Sequence, residues 1–239
     1  MTKSKKQKPF DALEPLPEAL QMGARVYRTL LHSIVTGKIE PGTPLRPDVI
    51  ARQLEVSTTP VREAMHRLEG DGLAVKAPYQ GWFVRDYSTE QIRELYEVRV
   101  TLECMAVRLA CERMTDAEIM GLRELQAVGE TALATGDDEA HRIYNEDLHT
   151  AILKAARNSY LFTLMGQLSR QNEMLMVKTS RIPGRTWCAF KEHGAVIDAM
   201  AKRQSKEAEQ LMETHVLNTL QVLVQLESGR PETRDHEGV

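Results

Sequence analysis

The stretch Val56–Leu73, VSTTPVREAMHRLEGDGL, limits the fold more than any other part of the chain. Ser57, Thr58 and Thr59 are short hydroxyl residues of the kind that cap helix N-termini. Pro60 follows them, and a proline at the first helical position fixes φ and removes an amide that has no partner there. Val61, Ala64, Met65 and Leu68 recur at i, i+3, i+4 and i+7, which makes one face apolar. Thr59, Arg62, Glu63 and His66 point the other way, and Gly72 stands just past the expected stop. The stretch is therefore a short helix, packed on one side, that offers an arginine from its first turn on the other.

Leu45–Leu54, LRPDVIARQL, reads as a shorter helix with Val49, Ile50 and Leu54 on its apolar side. Only Glu55, Val56 and Ser57 separate the two, the spacing of a helix-turn-helix whose second helix enters the DNA major groove by its N-terminal end. Arg62 is then placed for guanine O6/N7 or a phosphate, with Arg46, Thr58, Thr59 and His66 around it. An ordinary helical hairpin with solvated polar residues has the same local pattern. Two short β-type runs, Leu73–Lys76 and Trp82–Arg85, follow across Ala77-Pro78-Tyr79-Gln80-Gly81, a hairpin turn by its Pro and Gly. A hairpin directly after a recognition helix is a wing, and its tip (Tyr79, Gln80, Gly81) is set beside the backbone or minor groove.

These residues carry a resemblance. The run PGTPLRPDVIARQLEVSTTPVREAMHRLEGDGLAVKAPYQGWFV resembles the DNA-binding domain of the GntR family of bacterial transcription regulators, over roughly residues 20 to 86. The TPVREA run and the closing GL…GWFV are its specific parts. The family often has arginine after the serine of VS-TPVRE, where this chain has Thr58, so the operator preference of relatives does not carry over.

Charge divides unevenly along the chain. The net value is −3, but residues 1–86 carry 13 Lys+Arg against 10 Asp+Glu, and residues 87–239 carry 18 against 24. The basic share thus falls where the helix-turn-helix does. Residues 1–19 read as a flexible basic arm without the apolar segment of a signal peptide, and 229–239 as a polar tail. No apolar run approaches the roughly 18 residues of a membrane span. Cys104, Cys111 and Cys188 lack zinc-type spacing, and the first two read as small buried apolar residues in a reducing cytosol.

An earlier helix is expected over Val26–Ile39, and after the wing the chain becomes wholly helical. Ser88-Thr89-Glu90-Gln91 is a capping box. Breaks near Thr115-Asp116, Gly136-Asp137-Asp138, Asn158-Ser159, Pro183-Gly184 and Gln204 divide residues 87–228 into about six helices of 15 to 25 residues. The expected fold is mostly α: a winged helix-turn-helix at 20–86, then an all-α antiparallel bundle. Within the bundle, His149, His193 and His215 lie on apolar stripes of three separate helices, and Asn145 precedes His149 by one turn. A lone histidine on such a stripe is usually a core residue. Three on three helices match a site for a divalent metal ion such as zinc, nickel or manganese, which helix bundles build from facing helices.

The runs LYEVRVTLECMAVRLA, NEDLHTAIL, EHGAVIDAM and METHV resemble the ligand-binding FCD domain of the FadR-like branch of the family, over roughly residues 88 to 226. The resemblance implies a metal held by Asn145, His149, His193 and His215. Asp is usual at the first position, and an amide there predicts weaker binding. It also associates Arg99 with an effector pocket for a small carboxylate or sugar acid. Glu103, at i+4, is the simpler partner for an arginine on that face. Tyr144, Asn172 and Trp187 are lesser candidates for the pocket's border.

A metal-dependent hydrolase would also use three histidines, but HExxH, a Gly-rich phosphate loop and a serine elbow are missing from the sequence. Glu192 adjoins His193 but points about 100° away on a helix. A DNA-binding protein with a purely structural bundle would leave the histidines and Arg99 unexplained. The expectation is a cytoplasmic homodimeric regulator, a repressor reading a short palindromic DNA operator under control of an organic-acid effector, and not an enzyme.

Overall fold

The computed structural model describes residues 19–180 and 182–228. The basic arm up to residue 18 and the tail 229–239 lie outside them. Among the described residues the chain forms nine helices and one small sheet, in the order α1 (Ala19–Val35), β1 (Pro44–Leu45), α2 (Pro47–Gln53), α3 (Thr58–Gly70), β2 (Ala74–Ala77), β3 (Gly81–Val84), α4 (Thr89–Arg113), α5 (Asp116–Thr135), α6 (Asp138–Ala155), α7 (Ser159–Ser180), α8 (Arg185–Ala201) and α9 (Ser205–Ser228).

The first six elements are a winged helix. Helix α3 buries Val61, Ala64, Met65 and Leu68, the face its periodicity gave, against α1 through Val26, Tyr27, Leu30 and Ile34. Ser57 is its N-cap without a side-chain cap bond, and Pro60 sits at the third helical residue rather than the first. That position is still in the turn whose amides lack partners, so the proline is tolerated. The helix closes at Asp71, and Gly72 takes the left-handed φ of +76° that sends the chain back, with the Leu73 amide bonded to the Leu68 carbonyl at 2.9 Å.

Strand order is β1-β3-β2, all antiparallel, with Trp82 opposite both Leu45 and Lys76. Sequence pattern alone assigned Leu45 to a helix. Two residues have no periodicity of their own, and β1 exists because β3 pairs with it. Helix α1 likewise starts earlier and stops sooner than expected, because Gly37 turns left-handed (φ +71°) beyond Val35. The wing is fastened to α3 by Trp82: its indole N–H donates to Glu69 at 3.2 Å, and His66 meets the ring edge-on at 5.1 Å.

Six helices follow, with breaks at the expected places. The Ser88–Gln91 capping box is present in both directions, and Thr115–Glu118 forms a second. Each such cap is worth on the order of 1 kcal/mol. Helix α4 runs through the bundle against α9, α6, α7 and α8, while α5 covers α6 and α8. The core continues from Ile92 and Tyr96 through Leu122, Leu148 and Ile152 to Val196, Met212 and Leu223. Cys104 is half-buried, Cys111 buried and Cys188 exposed, all three free. No described helix is long and apolar enough to cross a membrane.

Candidate functional site

Two groups of polar residues stand apart from the packing. On the winged helix, Arg46, Thr58, Thr59, Arg62 and His66 are exposed, at the start of α2 and along the outer face of α3. Arg62 makes no ion pair among the described residues. Tyr79 and Gln80 project from the wing turn, where Tyr79 takes φ +61° and Gly81 φ +96°. Exposed donors at the N-terminal end of a helix and at the tip of a wing have the geometry of groove and backbone contact.

The second group is inside the bundle. His149 comes from α6, His193 from α8 and His215 from α9, and one ring nitrogen from each lies within 4.8 Å of the others. His193 and His215 are only 1% and 4% exposed. Every Nδ1 has a partner. His149 Nδ1 faces Glu103 Oε2 at 3.2 Å, and His215 Nδ1 faces Glu192 Oε2 at 2.7 Å. His193 Nδ1 lies 3.4 Å from the Tyr144 hydroxyl, which donates its own proton to Gln126 at 2.6 Å. Carboxylates only accept here, so His149 and His215 carry their protons on Nδ1, while His193 can carry its own on either ring nitrogen. The Nε2 atoms of His193 and His215 lie 3.2 Å apart, close enough for His193 to donate to His215. Two facing acceptors repel unless a proton or a cation lies between them. Gly129 makes the Tyr144 position available: a Cβ there would come within 2.7 Å of the ring.

The electrostatics favour neutral His193 and His215 beside charged carboxylates. Burial, with His215 and His149 nearby, pushes His193 well below its usual value, and burial lowers His215 to about 4 despite Glu192. Burial alone would raise Glu103, but His149 and Arg99 hold it down at about 2; His215, Arg185 and Asn218 do the same for Glu192. Imidazoles oriented through their second nitrogen by a carboxylate, as His149 and His215 are, or by a hydroxyl, as His193 is, suit a first-row divalent ion.

Asn145 is half-buried on α6, one turn before His149, and its side chain forms no hydrogen bond among the described residues. One further turn back, His141 has a buried Nε2 without a hydrogen-bond partner among the described residues. Arg99 is buried on α4 and directed inward. Its Nε and Nη2 donate to Glu103 Oε1 at 3.4 and 3.2 Å, and Nη1 donates to Asn172 at 2.7 Å. Glu103 therefore joins Arg99 to His149, one carboxylate oxygen to each. Trp187 is exposed and meets Phe190 edge-on.

Glu192 is the residue that sequence reasoning passed over. It does point away from His193, as the helical angle requires, but toward His215 on α9, and Arg185 holds it through two 3.1 Å bonds. The one signal available was Arg185 two turns earlier on the same side of the helix.

With this geometry in view, comparison with known proteins decides the family. Residues 22–84 match the family described as bacterial regulatory proteins, gntR family, and residues 94–218, over half of the chain, match the FCD domain. The chain belongs to the GntR family. Within it, the chain is 25% identical over 207 residues to the HTH-type transcriptional regulator YdhC of Bacillus subtilis, covering 86% of this chain and 91% of that one. It is 33% identical over 144 residues to the regulator McbR of Escherichia coli, covering 60% and 65%. The solved structure of E. coli McbR/YncC superposes with a TM-score of 0.73 at 25% identity, over 85% of this chain and 97% of that one. As a GntR-family protein with an FCD domain it is a DNA-binding transcription regulator and not an enzyme.

Proposed function

We propose that this regulator is a repressor that reads a short palindromic operator as a homodimer and releases it on binding a small organic acid, a carboxylate or sugar acid, beside a divalent cation. The observation carrying the reading is the convergence of three imidazoles, each with its Nδ1 on a partner outside the cluster and one ring nitrogen of each within 4.8 Å of the others. His149, His193 and His215 would hold the ion, with the amide oxygen of Asn145 as the neighbouring donor on α6. Zinc and nickel suit imidazole donors of this kind, and manganese, which prefers oxygen, would be held the most weakly of the three. The bound ion would supply a fixed positive centre for one end of an acid. Arg99 retains N–H donors beyond those given to Glu103 and Asn172, and the unpartnered nitrogen of His141 offers a further polar contact. A dimer follows from the small size of the reading surface. One winged helix brings Arg46, Arg62 and the wing tip, and two copies match the half-sites of a palindrome.

Thermal unfolding of metal-stripped protein tests the sensor. At about a hundredfold excess over Kd, an ion bound only to the folded chain raises Tm by roughly 5–10 °C. A panel of carboxylates and sugar acids then adds a second rise for the true effector class. The Asn145→Asp variant, with a full negative charge restored, binds the ion more tightly. Absence of any rise with zinc, nickel or manganese makes the three histidines core residues and defeats the reading.

A further inference from the structure

We infer that Asp71 is a positioning residue for DNA reading: through it, α7 transmits the state of the histidine cluster to the recognition helix. The inference rests on the sensor reading above and names its route to the DNA-binding surface. The route begins at His149, whose Nδ1 donates to Glu103 Oε2 at 3.2 Å. The other oxygen of Glu103 accepts from Arg99, and Arg99 donates to Asn172 Oδ1 at 2.7 Å. Asn172 Oδ1 also accepts from the Tyr96 hydroxyl at 2.7 Å. Arg99, Glu103 and Asn172 are all buried, so these groups have no water to fall back on when one bond changes.

Asn172 lies on α7, and the two residues before it face the winged helix. Arg170 donates to Asp71 Oδ1, and the Gln171 side chain donates to the Asp71 carbonyl at 3.2 Å. Asp71 is the C-cap of α3, and its other carboxylate oxygen accepts from Tyr27 on α1. One residue thus joins α7 to both long helices of the winged helix. The fit is close: a Cβ at Gly72 would lie 2.5 Å from the Gln171 amide nitrogen. A second grip, Lys178 to Asp86 at 3.6 Å, ties α7 to the segment entering α4 and keeps the two units together if the first is weakened.

The direction of the signal follows from chemistry. A cation on the far nitrogen of His149 would make its Nδ1–H a stronger donor and draw Glu103 toward it, and Arg99, paired to Glu103, follows away from Asn172. An acid reaching Arg99 competes for the donors that hold Asn172. Either event loosens α7 at Asn172, and packed helices respond by moving between discrete arrangements rather than by bending. Displacement of Arg170 and Gln171 then shifts Asp71 and, with it, the axis of α3.

Hydrogen exchange on the full chain tests this without knowledge of the operator. Adding zinc to metal-stripped protein should speed exchange in the segment Leu68–Leu73 by about fivefold or more, within the usual range of coupling between sites. In Arg170→Ala, a change at a part-exposed side chain, and in Asp71→Asn, that response should disappear while zinc affinity by calorimetry stays within about twofold of the parent. An unchanged zinc response in both variants, or zinc uptake by the parent without any change at Leu68–Leu73, overturns the relay. Failure of the parent to take up zinc at all removes the sensor reading itself, and the relay with it.

Discussion

Arg62 and Arg99 show how differently the two halves of this regulator use the same side chain. Arg62 stands out from α3 without an ion pair among the described residues. Arg99 is enclosed in the bundle with its donors on Glu103 and Asn172. Apart from His66, which packs on Trp82, the reading face is assembled from groups the fold does not need, so they remain available to a macromolecule. The three clustered histidines are each held by a partner from another helix, so their orientation is settled before any ligand arrives. Substitution on the first should alter binding and spare stability. Substitution in the second should alter both, because removing one member of a buried pair strands the other.

The largest test of that contrast is His193→Ala. It removes the most enclosed of the three donors and should lower affinity for zinc by more than about 100-fold, beyond the 10- to 100-fold typical of changes to the groups around ligands. The metal-free Tm should fall as well. Chelator competition and thermal melts read the two effects, and a variant with parental zinc affinity breaks the comparison. Next in size is Arg62→Ala. Against a DNA fragment selected from a random pool, affinity should drop by roughly 10- to 100-fold, the value of one good base contact, with Tm unmoved. A lower Tm with intact DNA affinity would reverse the roles given to the two arginines.

The smallest effect, and the one that sharpens the contrast, is the pH dependence of the metal-stripped protein. A histidine whose folded pKa is depressed stabilises the fold above its unfolded value and loses that contribution as pH falls. For His215 the window runs from about 6.5 down to about 4, with a slope of at most about 1.4 kcal/mol per pH unit for each proton taken up. His193 acts in the same direction. Glu173 opposes them: burial and Glu146 raise it to about 7, so its contribution weakens as pH rises from its usual carboxylate range to that value. Two imidazoles outweigh one carboxyl, and stability should climb between pH 4 and 6.5. Glu103 and Glu192, both near 2, extend the acid loss to lower pH. Denaturant melts across this range should show the slope flatten in His215→Gln. No flattening would mean that the cluster does not set it.

How far each half could be read in the sequence follows from the same contrast. Val61, Ala64, Met65 and Leu68 announce a packed face by spacing alone, and Ser88 with Gln91 announces a helix start, because these signals are local to one segment. The Pro44–Leu45 strand carries no local signal, since only its pairing with β3 defines it. The three histidines were legible as a set because each lies on an apolar stripe. Their supports were less so. Glu192 serves a residue on another helix, and Glu103 was visible only as the neighbour of Arg99, not as the group that also holds His149. Helical angles say where a side chain leaves its own helix. They do not say which other helix receives it.

The seam of the molecule does not coincide with the covalent joint between β3 and α4. It runs along α7, where Arg170 and Gln171 meet Asp71 and Lys178 meets Asp86. A chimera that grafts a relative's winged helix onto this bundle at residue 86 would exchange Asp71 and Tyr27 but keep their counterparts on α7. Transplanting DNA specificity while keeping the response to ligand therefore means carrying two surfaces, distant in sequence and matched in space, as a single cassette.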